Sequence, residues 1–140
     1  MLPIVWIHGF PLSSAVFEHQ RLLGGTFPDL PGFGSAPPPT SELTMDDYAR
    51  HVLATAEGSG RHIFAGLSMG GYICFAIARL APERVGGLIL IDTRETPDNE
   101  EGRKGRFDTI AKVQEHGVQA VVDAMLPKMV KAERYKPRVR

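Results

Sequence analysis

The chain has 140 residues, enough for one domain and not for two, and it can bury roughly 70% of its unfolded surface. Apolar residues make up 43% and charged residues 23%, and the formal net charge is zero. That balance gives no electrostatic case for binding nucleic acid or an anionic membrane. A basic run from Lys128 through Lys131, Arg134, Lys136, Arg138 and Arg140 reads as a solvated terminal helix or tail. The single cysteine, Cys74, allows no internal disulfide, and its apolar helical setting makes it a buried small hydrophobe. The N-terminus lacks a basic region and is interrupted by Pro3 and His8, so neither a signal peptide nor a membrane span is expected. The expected location is cytoplasmic.

In chain order, Ile4-Val5-Trp6-Ile7 is a continuous apolar, β-branched run that predicts a strand buried on both faces. Residues 13–23 predict a helix capped by Ser13 or Ser14, and a poorer strand is expected near Thr26-Phe27. Pro37-Pro38-Pro39 forces an extended loop. Thr44, followed by Asp46 and Asp47, predicts a capped helix to about residue 57, which Gly58-Ser59-Gly60 ends. His62-Ile63-Phe64-Ala65 predicts a strand, residues 69–80 a helix and residues 85–91 another strand. Strands alternating with helices predict an α/β fold, a mostly parallel sheet with helices on both faces. Residues 94–106 read as an exposed loop. Beyond them, the spacing of Phe107, Ile110, Val113, Val118, Val121, Val122 and Met125 predicts helices and no further strand.

The chemistry concentrates in Gly66-Leu67-Ser68-Met69-Gly70-Gly71, directly after one predicted strand and before a predicted helix. That context suits a nucleophile elbow, in which a strained turn pushes the Ser68 hydroxyl out at the top of the sheet. The Met69 amide, at the helix N-terminus, is then placed to donate to a developing oxyanion. His8-Gly9-Phe10-Pro11 follows the first strand and brings the Phe10 amide to the same place. His8 itself reads as a shaper of that loop rather than a base. His19, His51, His62 and His116 fall away from the strand tips and read as solvated. No histidine or cysteine cluster has metal-ligand spacing and no phosphate-cradling glycine loop is present, so no cofactor or metal is implied.

Taken in order, His8-Gly9-Phe10-Pro11, Asp29-Leu30-Pro31-Gly32-Phe33-Gly34 and Gly66-Leu67-Ser68-Met69-Gly70-Gly71 resemble the α/β-hydrolase superfamily. The likeness is greatest to its small esterase, enol-lactonase and cofactor-free haloperoxidase group. The resemblance implies the N-terminal part of an incomplete core in residues 1–93 and a loop with the helical start of a cap in residues 94–140. It also implies Ser68 as nucleophile and the Phe10 and Met69 amides as oxyanion hole. A serine at the elbow disfavours dehalogenase and epoxide hydrolase chemistry, whose members carry an aspartate there. Asp92, at a strand tip, is a candidate acid as well as a strand-end residue.

The expected function is hydrolysis of small carboxylic esters through an acyl-enzyme at Ser68. Lactonase or perhydrolase chemistry, or a non-catalytic module that retains the elbow, are the alternatives. The family's histidine and usual acid come on later strands, to which no residues here correspond, and Leu88-Ile89-Leu90-Ile91 would form an apolar edge. A complementing chain or a second copy is therefore the expected partner.

Overall fold

The computed structural model describes residues 1–129, and the chain divides into two units, Met1–Glu95 and Thr96–Arg140. In the first unit, β1 (Ile4–Ile7), β2 (His62–Leu67) and β3 (Val85–Ile91) form a parallel sheet in the order β1-β2-β3. The helices α1 (Met45–Thr55) and α2 (Met69–Leu80) supply the connections between them.

The register places Val5 beside Phe64 and Phe64 beside Leu88, and these side chains share one face. Val5, Ile7 and Phe64 are fully buried there with Ala49 and Val52 of α1 and Ile73, Cys74 and Ile77 of α2. Each large side chain so buried contributes roughly 1.5–3 kcal/mol. On the opposite face, Trp6 and Ala65 meet Phe17, with Phe27 stacked on Trp6 at 6.0 Å. The first strand is thus buried on both sides, as its unbroken apolar run requires.

Local signals explain the helices. Thr44 caps α1 in a reciprocal box: its Oγ1 accepts from the Asp47 amide at 3.2 Å, and an Asp47 carboxylate oxygen accepts from the Thr44 amide at 2.9 Å. In α2 the buried positions Gly70, Ile73, Cys74 and Ile77 recur at helical spacing. An ion pair between Arg79 and Asp46 joins the end of α2 to the start of α1.

Several expectations are corrected. Residues 13–23 form two 3-10 helices, Ser14–Phe17 and His19–Leu23, with Ser13 as the cap of the first. The segment is held by long-range contacts: the Ser14 amide donates to Asp29, and Phe17 wedges beside Trp6. The strand expected near Thr26-Phe27 is a single parallel bridge between Val5 and Thr26. The apolar edge expected along β3 is exposed at Ile89 and Leu90, but Leu88 packs on the core.

In the second unit, α3 (Glu100–His116) packs on α4 (Gln119–Met129). The loop expected over residues 94–106 therefore ends at residue 99. Asn99 accepts from the Gly102 amide at 2.8 Å, and Glu100 and Glu101 complement the helix dipole. Cap, dipole and the Lys104–Asp108 pair outweigh the low helix propensity of Gly102 and Gly105. Lys128 is exposed on α4, and the rest of the basic run, Lys131 to Arg140, lies outside the described residues. No helix among the described residues is long and apolar enough to cross a membrane.

Candidate active site

Ser68 stands between the last residue of β2 and the first of α2, with φ 52 and ψ −110. A non-glycine residue in that region carries strain on the order of 1–3 kcal/mol, so its surroundings must hold it there. They do so through the backbone. The Ser68 amide donates to the Ile91 carbonyl at 2.9 Å, while its own carbonyl accepts from the Gly71 amide at 2.9 Å and from Thr93 Oγ1 at 2.8 Å.

The turn is tight enough to exclude side chains. A Cβ on Gly66 would overlap the Gly70 backbone, and one on Gly70 would overlap the Ile7 carbonyl. Gly9 is pressed against the same turn: a Cβ there would meet the Leu67 carbonyl oxygen at 2.9 Å and Ser68 Cβ at 3.1 Å. Two glycine motifs some sixty residues apart in sequence thus close on one another at the ends of adjacent strands. Phe10, next in the chain, is partly exposed beside the elbow and meets Phe33 edge-on at 6.1 Å. Its peptide bond to Pro11 is cis. Neither the Phe10 nor the Met69 amide donates to a partner among the described residues. Met69, as the first residue of α2, has no carbonyl one turn back within its helix.

His8 is fully buried and spent on structure. Its Nε2 accepts from the Leu30 amide at 3.0 Å, so the ring proton sits on Nδ1, which donates to the Gly9 carbonyl at 3.0 Å. Burial lowers its pKa, against smaller opposing effects from Gly9 and Asp29, and a neutral ring is what this acceptor role needs. His8 therefore pins the Leu30 loop to the first strand's tip and shapes that loop, as the sequence led one to expect.

The Asp29-Leu30-Pro31-Gly32-Phe33-Gly34 segment is organised by one carboxylate. Asp29 Oδ1 accepts from the Ser14 amide, and Oδ2 from the amide and hydroxyl of Ser35, each at 2.8 Å. Burial alone would raise the Asp29 pKa, but the hydrogen bonds from Ser35 and Ser14 outweigh it and hold the carboxyl well below the usual range. Gly34, at φ 56, lies so close to this carboxylate that a Cβ would overlap it.

The other histidines divide. His19 and His116 are exposed, as expected. His51 is half-buried with Nε2 3.3 Å from the Asp29 carbonyl, and His62 is not solvated but buried, with Nδ1 2.9 Å from the Gly60 carbonyl. His62 opens the central strand, where its ring lies buried with its centroid 6.0 Å from that of Phe64. None of the five hydrogen-bonds the Ser68 hydroxyl among the described residues. Asp92 is exposed at the end of β3 with φ 45, and its carboxylate bonds to no described residue. Among the described residues, no three His, Cys, Asp or Glu side chains gather as a metal site.

Two contributors were not foreseen, Asp29 as the loop's organiser and Thr93 as a donor to Ser68. Both act over many residues of sequence. The available hint was Gly71, a glycine that the serine turn itself does not require.

A model of the family described as "Alpha/beta hydrolase family" matches residues 4–137. A thermophilic esterase from Thermogutta terrifontis is 35% identical and superposes with a TM-score of 0.77 over 91% of this chain and 50% of its own. The enol-lactonase of Burkholderia xenovorans is 26% identical, with a TM-score of 0.78 over 95% of this chain and 53% of its own. A putative non-heme chloroperoxidase of Synechocystis sp. is 34% identical over 126 residues, 79% of this chain and 45% of that protein. The chain spans less than half the length of the curated relatives it matches and about half that of these structures.

Proposed function

The chain belongs to the alpha/beta hydrolase family, and from that premise we propose that it is a serine hydrolase acting on small carboxylic esters. The observation that carries the reading is Ser68 at φ 52 on the β2–α2 joint, with glycines packed too closely around it for any side chain. A strained serine at a helix N-terminus is a costly feature that nucleophilic catalysis uses.

In the proposed reaction Ser68 Oγ attacks the ester carbonyl as a base takes its proton. The Phe10 and Met69 amides donate to the resulting oxyanion. Collapse expels the alcohol, which takes the proton back from the base, and water then releases the acid from the acyl-enzyme. The base comes from outside the described residues, on a complementing segment or a second copy, since no described histidine reaches Ser68. Asp92 is the carboxylate at the β3 tip that would orient such a base. Residues 94–140 would supply the start of a cap. The esterase and enol-lactonase relatives support ester or lactone substrates, and the haloperoxidase relatives leave peracid chemistry as a variant.

The test is hydrolysis of p-nitrophenyl acetate by the chain and by Ser68→Ala, over a range of protein concentrations. The expected result is a Ser68-dependent rate, rising faster than linearly with concentration where a second copy provides the base. Loss of a triad member costs on the order of 10⁴–10⁶ in rate, so an incomplete site is slow but distinguishable from the variant. Equal rates for both proteins at every concentration would refute nucleophilic catalysis by this chain. The Ser68 hydroxyl, which bonds to no described residue, would then favour a second reading, a binding module that keeps the elbow as structure.

A further inference from the structure

We infer that Thr93 is a positioning residue that aims and polarises the Met69 N–H, an inference resting on the reading of Ser68 and Met69 given above. Three separate features converge on its side chain. Thr93 Oγ1 donates to the Ser68 carbonyl at 2.8 Å. A Cβ on Gly71 would overlap the Thr93 side chain, so the glycine after the elbow leaves the space that Thr93 fills. Asp92, at φ 45, turns the chain out of β3 so that the next residue folds back over the elbow.

The Ser68 carbonyl and the Met69 N–H belong to one peptide unit. A planar trans peptide points its C=O and N–H in opposite directions, so fixing one fixes the other. With donors from Gly71 and Thr93 on the carbonyl, the plane is held by two bonds at different positions, and the Met69 N–H is directed away from them. Hydrogen bonding at a carbonyl also polarises its amide, strengthening the donor on the other side. The Ser68 amide, bonded to Ile91, is held by the same terminus of β3. The end of β3 therefore grips the nucleophile's backbone on both sides, and among the described residues Thr93 is the one side chain in that grip.

Thr93→Val keeps the shape and removes the donor, while Thr93→Ser keeps the donor. The expected result is a fall in kcat of about 3- to 10-fold for Thr93→Val with KM unchanged, the scale of one lost hydrogen bond acting on the transition state. Thr93→Ser should restore most of it. Two readouts do not depend on turnover: the ¹³C shift of the Ser68 carbonyl and the residual dipolar coupling of the Met69 N–H. Both should move in Thr93→Val and return in Thr93→Ser. If Thr93→Val perturbs the wider amide spectrum, Thr93→Ala makes the same comparison without the added methyl. Unchanged carbonyl shift and Met69 coupling in a folded variant would overturn the inference, as would an unchanged kcat in a protein whose Ser68-dependent rate is measurable. Spectral changes in a protein with no Ser68-dependent rate would uphold the role of Thr93 and refute the catalytic reading of Ser68.

Discussion

Replacing His8 tests whether the loop beside the elbow is held by hydrogen bonding or by packing. The ring is fully buried, accepts from the Leu30 amide at 3.0 Å and lies edge-on to Phe33 at 5.4 Å. His8→Phe keeps a ring but leaves the Leu30 N–H buried without a partner, which costs about 1–3 kcal/mol. His8→Ala adds a cavity and should cost about 3–5 kcal/mol in total. His8→Gln can present a carbonyl oxygen near the Nε2 position and should lose only about 1 kcal/mol. Urea denaturation read by the midpoint at constant slope measures all three. The expected order is Gln above Phe above Ala, and a His8→Phe protein as stable as the parent would refute the hydrogen-bond account. The pH dependence gives an independent check. The native His8 pKa is lowered from 6.5, so below that pH the denatured chain takes up a proton before the native one. The stability from neutral His8 is present above 6.5 and is lost as pH falls toward the lower native value. His8→Phe should therefore lose less stability than the parent across that window.

Asp29→Asn leaves one acceptor oxygen where two serve three donors, and should cost about 1–2 kcal/mol at neutral pH, modest because the site is half-exposed. The Asp29 carboxyl is held below its ordinary 3.8, so this contribution is present above 3.8 and fades as pH falls through the native value. Urea titrations at neutral and acid pH should show the gap between parent and variant narrowing, and a constant gap would contradict the charge-based account. Burial pushes the Cys74 thiol up to about 12 and leaves it no exposed surface. A disulfide-exchange reagent should label it only after unfolding in urea, and fast labelling of the native chain would show that the β2–α2 packing opens.

The local features that the sequence determined by itself are those whose causes lie within a few residues. The unbroken apolar run at Ile4–Ile7 specifies a buried strand and that at Val85–Ile91 a strand, and the spacing of Gly70, Ile73, Cys74 and Ile77 specifies the buried face of α2. The Thr44 box sets the start of α1, and glycines flanking Ser68 mark a turn that no other residue fits. The order of three glycine motifs also carried the family. What only the tertiary structure decided depends on groups far apart in the chain. Residues 13–23 predict one capped helix, yet they form two 3-10 turns held by contacts to Asp29 and Trp6. His62 looks polar enough for solvent, yet at the start of the central strand it is buried. Asp29 is a loop residue until Ser14 and Ser35 converge on it, and Thr93 acquires its bond to Ser68 only when β3 aligns beside β2. Short-range propensity and sterics are written residue by residue, whereas these contacts exist only once the sheet has brought distant strand ends to a common edge.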